Sequence, residues 1–271
     1  MADSILITGA SRGIGRTTAE HFAEAGWNVV ATMRDPADGA ALAARANVVV
    51  THLDVTDEQS ARDAVAAGID AFGAIDVVFN NAGYGVFGAL ETIEPESMQR
   101  QFEVNVFGML RVTRAILPHF RARGEGLVIQ MSSIAGRAPF PLGSVYNASK
   151  FAVEGLSEAL YFELAAIGVR IKLIEPGVIA TDALGSSLVV HRDDELAGYR
   201  DIHAALMAAF EASGAMAAQP ALVAGVVFEA ATDPGPRLRY PVGPDAEMIL
   251  ARRRESDDES FLAWLRSVYG V

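Results

Sequence analysis

Short runs rich in β-branched residues alternate with longer amphipathic stretches along most of this 271-residue chain, and that alternation constrains its fold most. The runs are Ser4–Thr8, Asn28–Met33, Val48–Leu53, Asp76–Asn80, Gly126–Met131 and Val169–Glu175, with Arg237–Val242 as a last strand. Between them, residues 13–25, 36–45, 57–71, 95–121 and 146–167 carry helical spacing, and Asp35-Pro36 and Thr56-Asp57 supply helix starts. Strands buried on both faces and separated by helices pair in parallel through right-handed crossovers. The fold class expected is therefore α/β, a Rossmann-type doubly wound parallel sheet of about seven strands flanked by helices. No linker or composition shift divides the chain, which reads as one domain over residues 1–271.

Residues 182–218 carry no strand in this reading. Leu196, Tyr199, Leu206 and Phe210 recur at three- and four-residue steps with His203 on the same face. Either a helical substrate-loop insertion or an ordinary amphipathic surface helix gives that pattern. Gln219-Pro220 opens a helix to about Thr232, and the tail from 244 to 271, with Phe261, Trp264 and Leu265, is a lid, an interface or plain packing.

Composition removes several function classes. A formal net charge of −12 makes nucleic acid and anionic membranes poor partners. Cysteine is missing, so disulfides, thiolate catalysis and iron–sulfur ligation are excluded, and His21, His52, His119, His191 and His203 lack metal-site spacing; no metal is expected. The acidic start has too short an apolar run for a signal peptide, and no stretch is long and apolar enough to span a bilayer, so a cytoplasmic protein is expected.

The first strand runs into Thr8-Gly9-Ala10-Ser11-Arg12-Gly13-Ile14-Gly15 and then a helix. Glycines at 9, 13 and 15 let the backbone turn and approach a pyrophosphate at the helix N-terminus. The end of the second strand, where an acidic residue would bind a ribose 2′-hydroxyl, holds Met33 with Arg34 beside it, and Arg12 faces the same ribose. Two guanidinium groups without a carboxylate favour NADP(H), with NAD(H) possible; the rival is Asp35 as the acidic residue, although before Pro36 it reads as a helix cap.

Tyr146 and Lys150, four apart in Tyr146-Asn147-Ala148-Ser149-Lys150, share a helix face. A tyrosine of pKa about 10 is a poor acid–base at neutral pH. An ammonium about 4 Å away, at an effective dielectric of ~20, contributes ~4 kcal/mol and brings the phenol near neutrality. The alternative is plain surface charge. Ser133, at the end of a strand, can donate to a carbonyl oxygen that Tyr146 protonates. Asn105 lies mid-helix, where it is either a helix-bending polar residue or a group holding water behind Lys150.

Together with Asp54-Val55, Asn80-Asn81-Ala82-Gly83, Ser132-Ser133, Pro176-Gly177 and Thr181, these residues resemble the short-chain dehydrogenase/reductases over nearly the whole chain. Segments 79–85 and 239–243 look most like the 17β-hydroxysteroid-dehydrogenase-like bacterial branch. The resemblance implies Tyr146 as acid–base, Ser133 as carbonyl polariser, Asn105 as proton-relay anchor and Lys150 as a further ligand of the nicotinamide ribose. It places Asp54 and Val55 at the adenine and Asn81, Ala82 and Gly83 at the adenosine ribose, with Pro176, Gly177, Val178 and Thr181 beside the nicotinamide. It also implies a homodimer or homotetramer through helices near 95–121 and 146–167.

The expected function is an NADP(H)-preferring oxidoreductase acting on a carbonyl or secondary alcohol of a mostly apolar small molecule. The expected pocket wall is Tyr84, Phe87, Phe140, Leu142, Val178 and Leu184, with Ser133 and Tyr146 at its base. A catalytically silent NADP(H)-binding sensor is the alternative. A nucleotide-sugar epimerase or dehydratase is a further rival, against which the chain length and the glycine spacing count.

Overall fold

The computed structural model describes residues 2–180, 188–192, 196–214 and 217–270. Its strands are β1 (Ser4–Thr8), β2 (Asn28–Met33), β3 (Val48–His52), β4 (Val77–Asn80), β5 (Gly85–Phe87), β6 (Gly126–Met131), β7 (Val169–Pro176), β8 (Leu188–Val190) and β9 (Arg239–Val242). The helices are α1 (Gly13–Glu24), α2 (Ala40–Ala43), α3 (Glu58–Phe72), α4 (Pro95–Phe102), α5 (Met109–Arg123), α6 (Ser144–Ala165), α7 (Arg200–Gly214), α8 (Pro220–Thr232), α9 (Pro244–Glu255) and α10 (Asp258–Tyr269). Seven strands form one parallel sheet in the order β3-β2-β1-β4-β6-β7-β9.

Every residue of β1 is buried, and its side chains alternate between two apolar layers. Ile5 and Ile7 join the layer containing residues of α1 and α8, where Phe22 meets Trp27 and Phe228 edge-on, both at 5.1 Å. Leu6 faces the layer containing residues of α3, α5 and α6. Burying such side chains contributes about 1.5–3 kcal/mol each, which explains why these strands read as continuous apolar runs. From β1 the chain winds outward through β2 and β3 and then returns to β4 on the opposite side. The strand order thus reverses beside β1, and the crevice at the C-terminal ends of β1 and β4 is where such sheets bind ligands.

Three expectations need correction. The 182–218 stretch does hold a strand: β8 pairs in parallel with β5, matching Gly85 with Leu188 and Phe87 with Val190. Three-residue strands are too short to show a period, and these two lie about a hundred residues apart. The single helix expected over 95–121 is α4 and α5 separated by a π-helical turn, Glu103–Gly108, that carries Asn105. The helix expected over 36–45 is a 3-10 turn, Pro36–Gly39, followed by the short α2. Among the described residues, no helix is long and apolar enough to cross a membrane.

Candidate active site

The glycine loop sits at the strand-order reversal. Gly9 has φ 69°, in the left-handed region, and a Cβ on Gly15 would lie 2.3 Å from the Gly9 carbonyl oxygen. Only glycine fits at Gly15. Arg12 occupies the N-cap of α1 without a capping side-chain hydrogen bond, so its first N–H groups are not taken by a cap. A tight backbone cradle opening on a helix N-terminus suits a pyrophosphate, so these residues fit a dinucleotide. Asn81 is committed to building the loop. Its side-chain amide donates to the carbonyls of Thr8 at 2.9 Å and Gly9 at 3.2 Å, while the Thr8 hydroxyl accepts from the N–H groups of Asn81 and Ala82.

At the adenine end, Met33 closes β2 and Arg34 follows it, exposed. Asp35 caps the Pro36 turn by accepting from the Ala37 N–H at 3.0 Å, as its place before proline suggests. Asp54 accepts from the Thr56 N–H and hydroxyl at 2.9 and 2.8 Å. Burial alone would raise its carboxyl, but those bonds and the Arg34 and Arg100 guanidinium groups hold it below the usual range.

Ser133, Tyr146 and Lys150 are brought together. Ser133 Oγ accepts from the Ala135 N–H at 3.1 Å and hydrogen-bonds Tyr146. Lys150 donates to the Met131 carbonyl at 2.8 Å, and its Nζ lies 5.8 Å from the Tyr146 ring centroid. This is a looser pairing than the spacing suggested. Burial pushes the Tyr146 phenol up, with the Ser133 hydrogen bond acting against it, and drives Lys150 down to about 8. Asn105 stands apart from the trio. Its amide accepts from the Tyr84 N–H at 3.0 Å, donates to the Tyr84 carbonyl at 2.9 Å, and reaches Ser149 Oγ at 3.4 Å.

Above Tyr146 lies an aromatic wall. Phe87 stacks on Tyr146 at 5.5 Å and on Phe140 at 5.3 Å. Leu142 is held at φ 58°, a strained conformation for a branched side chain, and its carbonyl accepts from the Gly88 N–H at 2.8 Å. The strap β5–β8 anchors this wall, with the His191 N–H donating to the Phe87 carbonyl at 2.8 Å. Tyr84 stays nearby through Asn105, its phenol pushed up by burial. Thr181 and Leu184 lie outside the described residues.

Sequence reasoning missed several supporting residues. Asp245 accepts from the Val178 N–H at 2.7 Å and closes over Gly177, where a Cβ would lie 2.1 Å from its carboxylate. Gln101 accepts from the Val86 N–H and donates to the Tyr84 carbonyl. A glutamine one helical turn before Asn105 was the available signal for Gln101; Asp245 gave none, being an ordinary first-turn acid.

A short chain dehydrogenase profile matches residues 3–188. An uncharacterised oxidoreductase of Schizosaccharomyces pombe is 40% identical over 244 residues, covering 88% of this chain and 100% of its own. A 3-ketodihydrosphingosine reductase of Bacteroides thetaiotaomicron is 32% identical, covering 98% of each chain. Among solved structures, a short-chain dehydrogenase from Streptomyces avermitilis has a TM-score of 0.86 at 32% identity, over 99% of this chain and 98% of its own. Two other similar structures carry cofactors: ElxO holds NADP (TM-score 0.74, 25% identity, 89% and 98% coverage), and a Burkholderia phymatum protein holds NAD (0.77, 29%, 93% and 92%).

Proposed function

The chain belongs to the short-chain dehydrogenase/reductase family, and from that premise we propose an NADP(H)-preferring oxidoreductase of mostly apolar carbonyl compounds or secondary alcohols, with Tyr146 as general acid–base. Its relatives make it a nicotinamide-dependent oxidoreductase of small molecules; the cofactor preference, the substrate class and the residue roles are our reading. We read residues 1–271 as a single dinucleotide-binding domain.

The observation that carries the proposal is the meeting of Ser133, Tyr146 and Lys150 beneath the Phe87–Phe140 wall. The nicotinamide, when bound, supplies or accepts the hydride. Gly9, Ser11, Arg12, Gly13, Ile14 and Gly15 would hold the pyrophosphate side and Asp54, Val55, Ala82 and Gly83 the adenosine. Pro176, Gly177 and Val178 would flank the nicotinamide together with Lys150.

In the reductive direction Tyr146 gives its phenolic proton to the substrate oxygen while the Ser133 hydroxyl donates a second hydrogen bond to that oxygen. The Lys150 ammonium favours the phenolate left behind. The apolar wall excludes water and suits a hydrophobic carbonyl compound, in keeping with the name of the Bacteroides relative. Arg12 and Arg34, with Asp35 occupied as a cap, support a 2′-phosphate.

Phe151 and Phe162 are exposed on one face of α6, and Phe107 is exposed just before α5, which supports the homo-oligomer that sedimentation would detect. The proposal is tested by offering NADPH and NADH with ketones, aldehydes, quinones and ketosteroids. NADPH-dependent turnover of apolar carbonyls supports it; tight NADPH binding without turnover of any of them favours a silent binding protein.

A further inference from the structure

Behind the trio lies a buried charged cluster with no part in the chemistry described so far. Glu154 stands one helical turn beyond Lys150 on α6 and is 5% exposed; Glu175, on β7 just before Pro176, is 1% exposed. The Ser132 hydroxyl donates to Glu154 Oε1. Arg239 of β9 donates to Glu154 Oε2 at 2.9 Å and lies 3.6 Å from Glu175 Oε1, and Arg137 approaches the same oxygen at 4.0 Å. Glu158 takes another Arg239 nitrogen at 2.5 Å. Gly136 closes the space above, since a Cβ there would lie 2.8 Å from Glu154 Cγ and 2.9 Å from Ser132 Oγ.

We propose that Glu154 is a positioning residue for the acid–base step, its carboxylate bracing the Ser132–Ser133 turn and its charge keeping Lys150 an ammonium near Tyr146. This inference rests on the acid–base reading above. Ser132 is gripped on two sides, its N–H donating to the Ile174 carbonyl at 2.8 Å and its hydroxyl to Glu154. That fixes the residue from which Ser133 projects. Burial drives Lys150 toward its neutral form, and Glu154 is the group acting against it.

The charged groups facing the cluster are Lys150, Glu154 and Glu158 of α6, Arg137, Glu175 of β7, Arg239 of β9 and Arg254 of α9. Burial, then the neighbouring Glu154, pushes the Glu175 carboxyl up to about 7. Two carboxylates this close do not both ionise freely. Glu175 thus holds a proton into the neutral range; burial pushes the Glu154 carboxyl up as well, and Ser132, Arg239 and Arg137 act against that shift to favour its charged form.

The test uses a property of this sequence: its lysines are Lys150 and Lys172. A side-chain NMR titration of labelled lysine reads Lys150 directly, with Lys172, held by Asp233 and the Ala230 carbonyl, as internal reference. Glu154→Gln is expected to move the Lys150 titration down by about one pH unit, the order of a unit charge one helical turn away, while Lys172 stays put. It should also lower kcat by about tenfold with little change in KM, and Glu154→Asp should restore the titration.

Ser132→Ala removes the brace but leaves the Glu154 carboxylate with Arg239 and Arg137, so it should lower kcat and move the Lys150 titration less than Glu154→Gln does. An unmoved Lys150 titration in Glu154→Gln overturns the electrostatic role. Wild-type kcat in Ser132→Ala overturns the bracing role, even where Glu154→Gln fails to fold. A wild-type enzyme inert toward every carbonyl defeats the acid–base reading instead, and the Lys150 titration still decides the charge coupling.

Discussion

The ring of Phe87 lies over that of Tyr146, centroids 5.5 Å apart and planes inclined by 28°. The proposed acid–base therefore has an aromatic roof, and a substrate reaching the phenol passes along an apolar face. Phe87→Ala should raise KM for the best apolar carbonyl substrate about tenfold, as expected for losing ~1–2 kcal/mol of apolar and stacking contact. Binding of NADPH should not change. Steady-state kinetics and a cofactor titration check both, and an unchanged KM would remove Phe87 from the substrate wall.

Arg34 follows the strand end where a carboxylate would exclude a 2′-phosphate, and Asp35 beside it is occupied as a cap. Arg34→Asp should lower the ratio of kcat/KM for NADPH over NADH by about a hundredfold, through one lost charge-assisted bond and one new repulsion. Competition between the two cofactors measures this directly. A ratio that stays put would mean the 2′-phosphate is held elsewhere.

Glu175 makes stability pH-dependent in an unusual sense. Its carboxyl rises from 4.5 to about 7 on folding, chiefly by burial. Between those values the native state holds a proton that the unfolded chain has released, so stability is full below about 4.5 and is lost as pH rises through about 7. Glu175→Gln should flatten that slope in melting-temperature curves and stabilise the protein at neutral pH by about 1–3 kcal/mol. A slope equal to wild type would mean that Glu175 titrates normally.

The boundaries of β1, β2 and β6 were legible because strands buried on both faces are mostly apolar along their length. The Tyr146–Lys150 pairing was legible as a helix face, but the 5.8 Å separation was not: helical spacing sets direction, whereas the length and anchoring of the lysine side chain on Met131 set distance. Nothing local announces β5–β8, whose partners meet across about a hundred residues. The same holds for the Glu154 cluster, assembled from α6, β7, β9 and the turn after β6, and for Asn81, whose amide serves Thr8 and Gly9 in a loop far upstream. Asn105 showed itself as an ill-placed residue in a helix, yet the π-helical turn that turns it toward Tyr84 has no mark in the apolar spacing.

Tyr146, in this mechanism, delivers the proton to the substrate oxygen. The most direct measurement is single-turnover oxidation of bound NADPH by the best carbonyl substrate in wild type and in Tyr146→Phe, with NADPH affinity measured alongside. The rate of the chemical step should fall at least about a thousandfold in Tyr146→Phe, within the range for a positioned acid–base, with cofactor affinity retained. A Tyr146→Phe protein that turns over at the wild-type rate would contradict this mechanism.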